Sequence, residues 1–337
     1  MSIRVGIVGF GLSGRVFHAP FLAADPAFEI ALISTSDPER AATAQAAYPG
    51  ARIVPSAEEV LEAGLDLVVL ASPPHVHREQ AVAALEAGSA VVIDKPFAPS
   101  LADADAIIAA SERADKPVFV FQNRRWDADF ITLRKLLEEN RLGRVLRFES
   151  TFERWSEPKR GRWQTEIPVS KGGGILFDLG SHLIDQALQL FGPATVTAAE
   201  TSILHHGGAS EDDAFVSLLH EGGVRSHLTM SRVARATGPR LRALGTDAAF
   251  TTYGLDPQED AVRKGGASPL DAGFGVVPES GWGVLGDERV PSERGSYAAF
   301  YAGVAATLTS DSPAPVDVRD ARAVVAIIEA AHAVAHR

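Results

Sequence analysis

The 337-residue chain contains no cysteine, which excludes disulfides, thiolate catalysis and any cysteine-ligated zinc or iron–sulfur centre within one chain. It has no block of five or more basic residues, and 32 lysines and arginines stand against 43 acids for a net charge of −11. Nucleic acid is therefore a poor partner. No stretch approaches the ~18 consecutive apolar residues needed to cross a bilayer. The start, Met1-Ser2-Ile3-Arg4, runs into a short strand pattern without the longer apolar core and cleavage site of a secretory signal. A cytoplasmic protein with no membrane partner is expected, whose chemistry comes from amine, imidazole, carboxylate and hydroxyl groups.

What is present is an ordinary globular balance, 46% apolar and 22% charged, over a length that suits two domains at roughly 150 residues each. From Ile3 to Phe121, short β-branched runs (Ile3 to Val8, Glu29 to Ile33, Leu67 to Ala71, Ala90 to Asp94, Val118 to Phe121) alternate with alanine-rich amphipathic segments (Val16 to Ala24, Pro38 to Ala47, Ala57 to Ala63, Val76 to Ala87, Leu101 to Ala114). This alternation predicts an α/β, doubly wound parallel sheet in a first domain over 1–121.

After Gln122 the character changes. A helix is expected over Phe130 to Glu139. Strand-like runs follow at Arg144 to Phe152, Ala194 to Leu204, Ala214 to Leu219, Val224 to Met230, Arg240 to Leu244 and Ala248 to Tyr253, with few helices between them. A second, α+β domain over 122–337 with a mostly antiparallel sheet is expected. Gly254 to Gly295, with nine glycines and four prolines, reads as loop, and Val318 to Val334 as a closing helix.

The first strand runs into Gly9-Phe10-Gly11-Leu12-Ser13-Gly14 and then a helix. At a strand–helix turn these glycines allow a tight bend, close approach of a pyrophosphate and close helix packing, with free N–H groups facing the anion. A dinucleotide is implied. The second strand ends Ser34-Thr35-Ser36 without a ribose-binding acid, since Asp37 before Pro38 reads as a helix cap. Small hydroxyls and Arg40 leave room and charge for a 2′-phosphate, favouring NADP, with NAD as the alternative. Ser72-Pro73-Pro74 with His77, and Asp94-Lys95-Pro96, lie at the ends of the next two buried strands, where such sheets bind ligands.

Asp178, His182, Asp185 and Gln189 fall at i, i+4, i+7 and i+11 of one helix pattern, so they share a polar face. A carboxylate one turn from an imidazole raises its basicity and suits a general base. The same spacing fits a solvated helix face, or a metal pair completed by His205 and His206, and the residues alone leave these open.

Taken together, the glycine turn, Ser72-Pro73 with His77, Lys95-Pro96, Asn123-Arg124-Arg125-Trp126-Asp127 and Asp178 with His182 resemble the Gfo/Idh/MocA oxidoreductases across nearly the whole chain. Gly11 to Gly14, the Asn-Arg-Arg-Trp-Asp run, Asp178 to His182, Tyr253-Gly254 and Gln258 to Asp260 look most like its NADP-dependent scyllo-inositol 2-dehydrogenase branch. The resemblance implies an N-terminal Rossmann domain, a C-terminal open sheet and a homodimer or homotetramer. It puts the catalytic lysine at Lys95, with Asp178 and His182 beside it. Ser72 and Pro74 replace the family's threonine and asparagine at that turn, and Asp94 replaces its glutamate.

The expected reaction is hydride transfer between NADP and a secondary hydroxyl of a cyclic polyol or sugar, without a metal. His182 would act as base oriented by Asp178, and Lys95 would stabilise charge on the same oxygen. Lys95, Asn123, Arg124, Trp163, Asp178 and His182 are the expected substrate contacts, with Trp155 and Arg162 as further wall candidates. A dinucleotide sensor without chemistry and a metal-dependent alcohol dehydrogenase are the alternatives.

Overall fold

The computed structural model of the chain describes residues 2–157 and 166–335. Its first sheet comprises β1 (Ile3–Val8), β2 (Phe28–Ser34), β3 (Arg52–Val54), β4 (Leu67–Leu70), β5 (Ala90–Asp94) and β6 (Val118–Phe121), in the order β3-β2-β1-β4-β5-β6. All its pairings are parallel. Leu67, Val68, Val69 and Leu70 are fully buried, as a strand covered on both faces must be, which is why its sequence is continuously apolar. The strand order reverses between β1 and β4, so the crevice outside their carboxyl ends is where such a sheet takes a ligand. The glycine turn and Ser72 both lie there.

The second sheet comprises β7 (Val145–Glu153), β8 (Ala194–Ser202), β9 (Asp213–His220), β10 (Arg225–Ser231), β11 (Leu241–Gly245), β12 (Ala249–Thr252), β13 (Gly283–Leu285) and β14 (Glu288–Val290). Their order is β14-β13-β12-β11-β7-β10-β9-β8, antiparallel except for β7 with β10. Burial alternates along β9, with Ala214, Val216 and Leu218 inward. That face packs against Leu183, Ile184 and Ala187 of the helix Ser181–Phe191 and against Val324, Ile327 and Ile328 of the helix Val318–Ala335.

Three features depart from the sequence reading. β3 is three residues long, too short to show a period. The segment 254–295 is not all loop: it holds the helix Gln258–Gly265 as well as β13 and β14. The helix Ala298–Ser310 has no polar stripe to announce it, because Phe300, Tyr301 and Val304 are buried in the first core, not the second. Phe300 meets Phe121 edge-on, with 4.9 Å between ring centroids. The end of the chain therefore returns to complete the core that its beginning started.

Candidate active site

Gly9 has φ +92°, and a Cβ there would meet the Ala71 carbonyl oxygen at 3.0 Å. At Gly14 a Cβ would lie 2.2 Å from the Gly9 oxygen, so the helix can start this close to β1 only without a side chain. Phe10 is buried edge-on against Tyr48, whereas Leu12 is exposed. The loop thus offers backbone to a ligand and keeps its large ring underneath. Ser13 donates its hydroxyl to Asp94, tying the loop to the end of β5.

Ser34 is buried with its Oγ 3.4 Å from the Gly9 nitrogen, and the Thr35 hydroxyl accepts from the Asp37 nitrogen. Ser36 follows in the same turn. Asp37 accepts from the Glu39 and Arg40 nitrogens at 2.9 and 3.0 Å, so it caps the helix Pro38–Ala47 as expected. The Arg40 side chain, 57% exposed and 3.6 Å from Asp37, lies over the glycine turn, its Nη1 3.8 Å from the Cβ position of Gly11. A cation above an open backbone turn fits a phosphorylated ribose.

At the next strand end Ser72 donates to Gln80 at 2.6 Å and Pro73 leads into a short turn. His77 is a correction. It is fully buried, with Nε2 2.9 Å from the Ser72 oxygen and Nδ1 3.2 Å from the Phe97 oxygen. Both ring nitrogens face backbone carbonyls, and burial holds the imidazole below its ordinary pKa, so the neutral ring donates to one of them; enclosed between two strand-end turns, His77 has no exposed surface to offer a cofactor.

Lys95 reaches across to the other half of the site. Its Nζ donates to the Asp178 carbonyl oxygen at 2.8 Å and to Asp178 Oδ1 at 3.2 Å. Asp178 lies in a widened turn, Leu176–Gly180, that leads into the helix Ser181–Phe191; wide turns of this kind recur at functional sites. The face read as polar is buried rather than solvated: Asp178, His182 and Asp185 are 6%, 4% and 2% exposed.

Asp178, expected to orient His182 from one turn away, makes no hydrogen bond to it. The Asp178 carboxylate is taken by Lys95, Arg232 and Arg154, and His182 Nδ1 has no partner among the described residues. Burial does most to hold the imidazole well below its ordinary pKa; Lys95, Arg124 and Arg240 push the same way, and Asp178 only opposes them. His182 is therefore a neutral acceptor at neutral pH, not the strengthened base that spacing suggested. Asp178 stays ionised against its own burial because Lys95, Arg232 and Arg154 surround it.

Asp185 and Gln189 serve elsewhere. Asp185 binds Arg125 through two bonds of 2.8 and 2.6 Å, and Gln189 donates to Asp320. Arg124 pairs with Asp127 at 3.1 Å and Glu259 at 3.2 Å, and its guanidinium lies 4.8 Å from the centre of the Phe152 ring; Asn123 is buried beside it. Trp155 is 43% exposed under the Arg235 guanidinium. Trp163 and Arg162 lie outside the described residues. His205 is bound by Asp212 at 2.7 Å, and no three potential metal ligands converge among the described residues.

Sequence reasoning missed Arg232, Arg154 and Arg240. Arg232 directly follows β10, the same kind of strand-end cation as Lys95, and that position was the available signal. Arg240 is buried on Ser150 and Gln186.

Comparison with known proteins gives this geometry a context. Residues 3–122 match the oxidoreductase family with an NAD-binding Rossmann fold, and residues 130–251 match the GFO/IDH/MocA C-terminal domain. The chain is 36% identical to an uncharacterized oxidoreductase, YdgJ, of Escherichia coli, over 97% of this chain and 95% of that one. It is 34% identical to the scyllo-inositol 2-dehydrogenase (NADP(+)) IolW of Bacillus subtilis, over 98% and 93%. The solved structure of the oxidoreductase YvaA of Bacillus subtilis superimposes with a TM-score of 0.91 at 32% identity, covering 100% of this chain and 96% of that one.

Proposed function

Because the chain belongs to the Gfo/Idh/MocA family of oxidoreductases, we propose that it interconverts a secondary hydroxyl and a ketone on a cyclic polyol or sugar, with NADP as its cofactor and scyllo-inositol as a candidate substrate. The observation that carries this reading is the joining of Lys95, from the cofactor sheet, to Asp178, one turn from His182. Similarity to an enzyme named as an NADP-dependent scyllo-inositol dehydrogenase supports the substrate class.

The residues fit the cofactor. The Gly9 to Gly14 turn gives backbone N–H groups to the pyrophosphate, with Ser34, Thr35, Ser36 and Arg40 at the ribose end and Ser72-Pro73 at the neighbouring strand end. NADP, when bound, would supply the acceptor for the hydride and its electron pair leaving the carbinol carbon, and its reduced form the donor in the reverse direction. The protein handles the proton. His182, neutral and buried, accepts the hydroxyl proton as the carbon–oxygen double bond forms. Lys95 donates a hydrogen bond to the same oxygen and stabilises its developing negative charge before the proton has fully left. Asp178 aims Lys95 by accepting twice from its Nζ. Arg124 and Asn123 form the adjoining wall.

A homodimer or homotetramer belongs to this reading, with Leu146 on β7 and Leu219 on β9 left exposed in the single chain; light scattering measures it. Activity is tested by following NADPH at 340 nm across inositol isomers, aldoses and their keto forms. Turnover of any of them, lost in His182→Ala and Lys95→Ala, supports the assignment. Full activity in both variants defeats it.

A further inference from the structure

One fully buried histidine, His18, stands outside the machinery described so far. It closes a widened turn, Gly14–His18, that follows the glycine turn directly, and Asp178 lies in another of the same kind, Leu176–Gly180. Wide turns recur at functional sites, and these two reach adjacent residues at the end of β5. Asp178 meets Lys95, and His18 faces Asp94, with Nε2 3.8 Å from Asp94 Oδ1.

The His18 ring lies against Phe121, with 4.6 Å between ring centroids, and its Nδ1 is 2.7 Å from the Tyr301 hydroxyl. Tyr301 is itself fully buried. Burial, with Asp94 adding to it, pushes the phenol well above its ordinary pKa, so Tyr301 keeps its proton and donates to Nδ1. The ring proton then sits on Nε2; the opposite tautomer would turn a lone pair toward the Asp94 carboxylate. Nε2 has no hydrogen-bond partner among the described residues, although a buried donor is normally satisfied. Donor follows donor in one direction, from Tyr301 through His18 toward Asp94.

Asp94 divides its oxygens within the cofactor half of the site. Oδ2 accepts from the Ser13 hydroxyl in the glycine turn, and Oδ1 accepts from the Lys95 backbone nitrogen at 2.8 Å. Burial pushes the Asp94 carboxyl up, but His18, Lys95 and Ser13 together hold it below its ordinary pKa. It is an ionised acceptor, and bonds made to it are the stronger for its charge. His18 has no exposed surface with which to touch a substrate, so its effect passes through Asp94.

We infer that His18 is a positioning residue: backed by Tyr301, it fixes the Asp94 carboxylate that ties the glycine turn to the backbone of Lys95. Its consequence for Lys95 rests on the hydride-transfer reading above, whereas its consequence for the glycine turn rests on nucleotide binding alone.

The experiment uses the lengths of two amides. In His18→Gln the amide nitrogen can stand where Nε2 stands and face Asp94; in His18→Asn it stands near Nδ1 and meets Tyr301 only. NADPH and NADH dissociation constants are titrated for both variants and the parent, with melting temperature as the measure of fold and kcat and KM on any polyol or sugar that is turned over. The expected result is nucleotide binding within about threefold of the parent in His18→Gln and about tenfold weaker in His18→Asn, with kcat falling in the same order and substrate KM little changed. Asp94→Asn should show the larger loss by itself, and adding His18→Asn to it should cost nothing further. His18→Asn equal to or better than His18→Gln overturns the inference, because an anchor on Tyr301 or packing alone gives that order; additive losses in the double variant overturn it too. Where a His18 variant fails to fold, Tyr301→Phe decides, since it keeps the ring and removes only the donor: nucleotide binding weaker by about threefold or more supports the inference, and unchanged binding overturns it. If no polyol or sugar is turned over, the hydride reading falls, and the order of the dissociation constants still decides the role of His18.

Discussion

Lys95 and Asp178 are joined twice, through the carbonyl oxygen at 2.8 Å and the carboxylate at 3.2 Å. The first bond holds the widened turn Leu176–Gly180 against the end of β5, and the second sets the ammonium against a carboxylate. The same contact that ties the end of β5 to this turn thus brings two of the proposed site residues within hydrogen-bond distance.

Lys95→Met should lower kcat by about two decades or more, the equivalent of ~3 kcal/mol of transition-state stabilisation. Steady-state rates on a confirmed substrate measure this, with near-normal kcat as the outcome that removes Lys95 from the mechanism.

The pH profile of kcat/KM should show no loss from His182 protonation between pH 6 and 8, because burial and nearby cations keep its pKa well below the ordinary 6.5. An acid limb centred near 6.5 that disappears in His182→Gln contradicts a buried neutral base.

Arg40→Ala should weaken NADPH binding about tenfold, ~1.4 kcal/mol, and leave NADH binding almost unchanged, since Arg40 Nη1 lies 3.8 Å from the Cβ position of Gly11, where the proposed reading puts the 2′-phosphate. Titration of both cofactors in one low-salt buffer checks it; equal losses mean that Arg40 does not read the 2′-phosphate.

Gly14→Ala should destabilise the fold by about 1–3 kcal/mol and abolish cofactor binding, because the new Cβ would sit 2.2 Å from the Gly9 oxygen. Unfolding midpoints and NADPH titration measure the two effects separately, and an unchanged midpoint rejects the close-packing explanation.

Asp256 gives a pH effect of opposite sign to that of an ion-paired acid. Burial raises its pKa to about 7, with Asp127 adding to the shift. The folded state therefore holds a proton that the unfolded chain releases near pH 4, and the Asp256 contribution to stability falls as pH rises from about 4 to 7. Asp256 also accepts from the Ala128 and Gln258 nitrogens at 2.7 and 2.9 Å, so Asp256→Asn disturbs local bonding at every pH. The decisive quantity is the difference in melting temperature between variant and parent, which should shift in favour of the variant across that range; a constant difference excludes the titration.

By itself the sequence determined many of the features that depend on neighbours along the chain, though not β3 or the helices Gln258–Gly265 and Ala298–Ser310. Five strands of the first sheet follow from continuous apolar runs, and the tight turn after β1 from its glycines, two of which stand where a side chain would strike backbone. The Asp37 cap follows from an acid before a proline. Lys95 stood out as a charge at the end of a buried strand. Tertiary structure decided the rest. Asp178 lies 83 residues from Lys95 and 54 from Arg232, and only folding chose these partners over His182, one helical turn away. His77, read as a cofactor contact, became a staple because two carbonyls from separate turns enclose it. The charge balance around Asp178 exists only after folding, because water screens each of those groups in the open chain and the folded site removes that water.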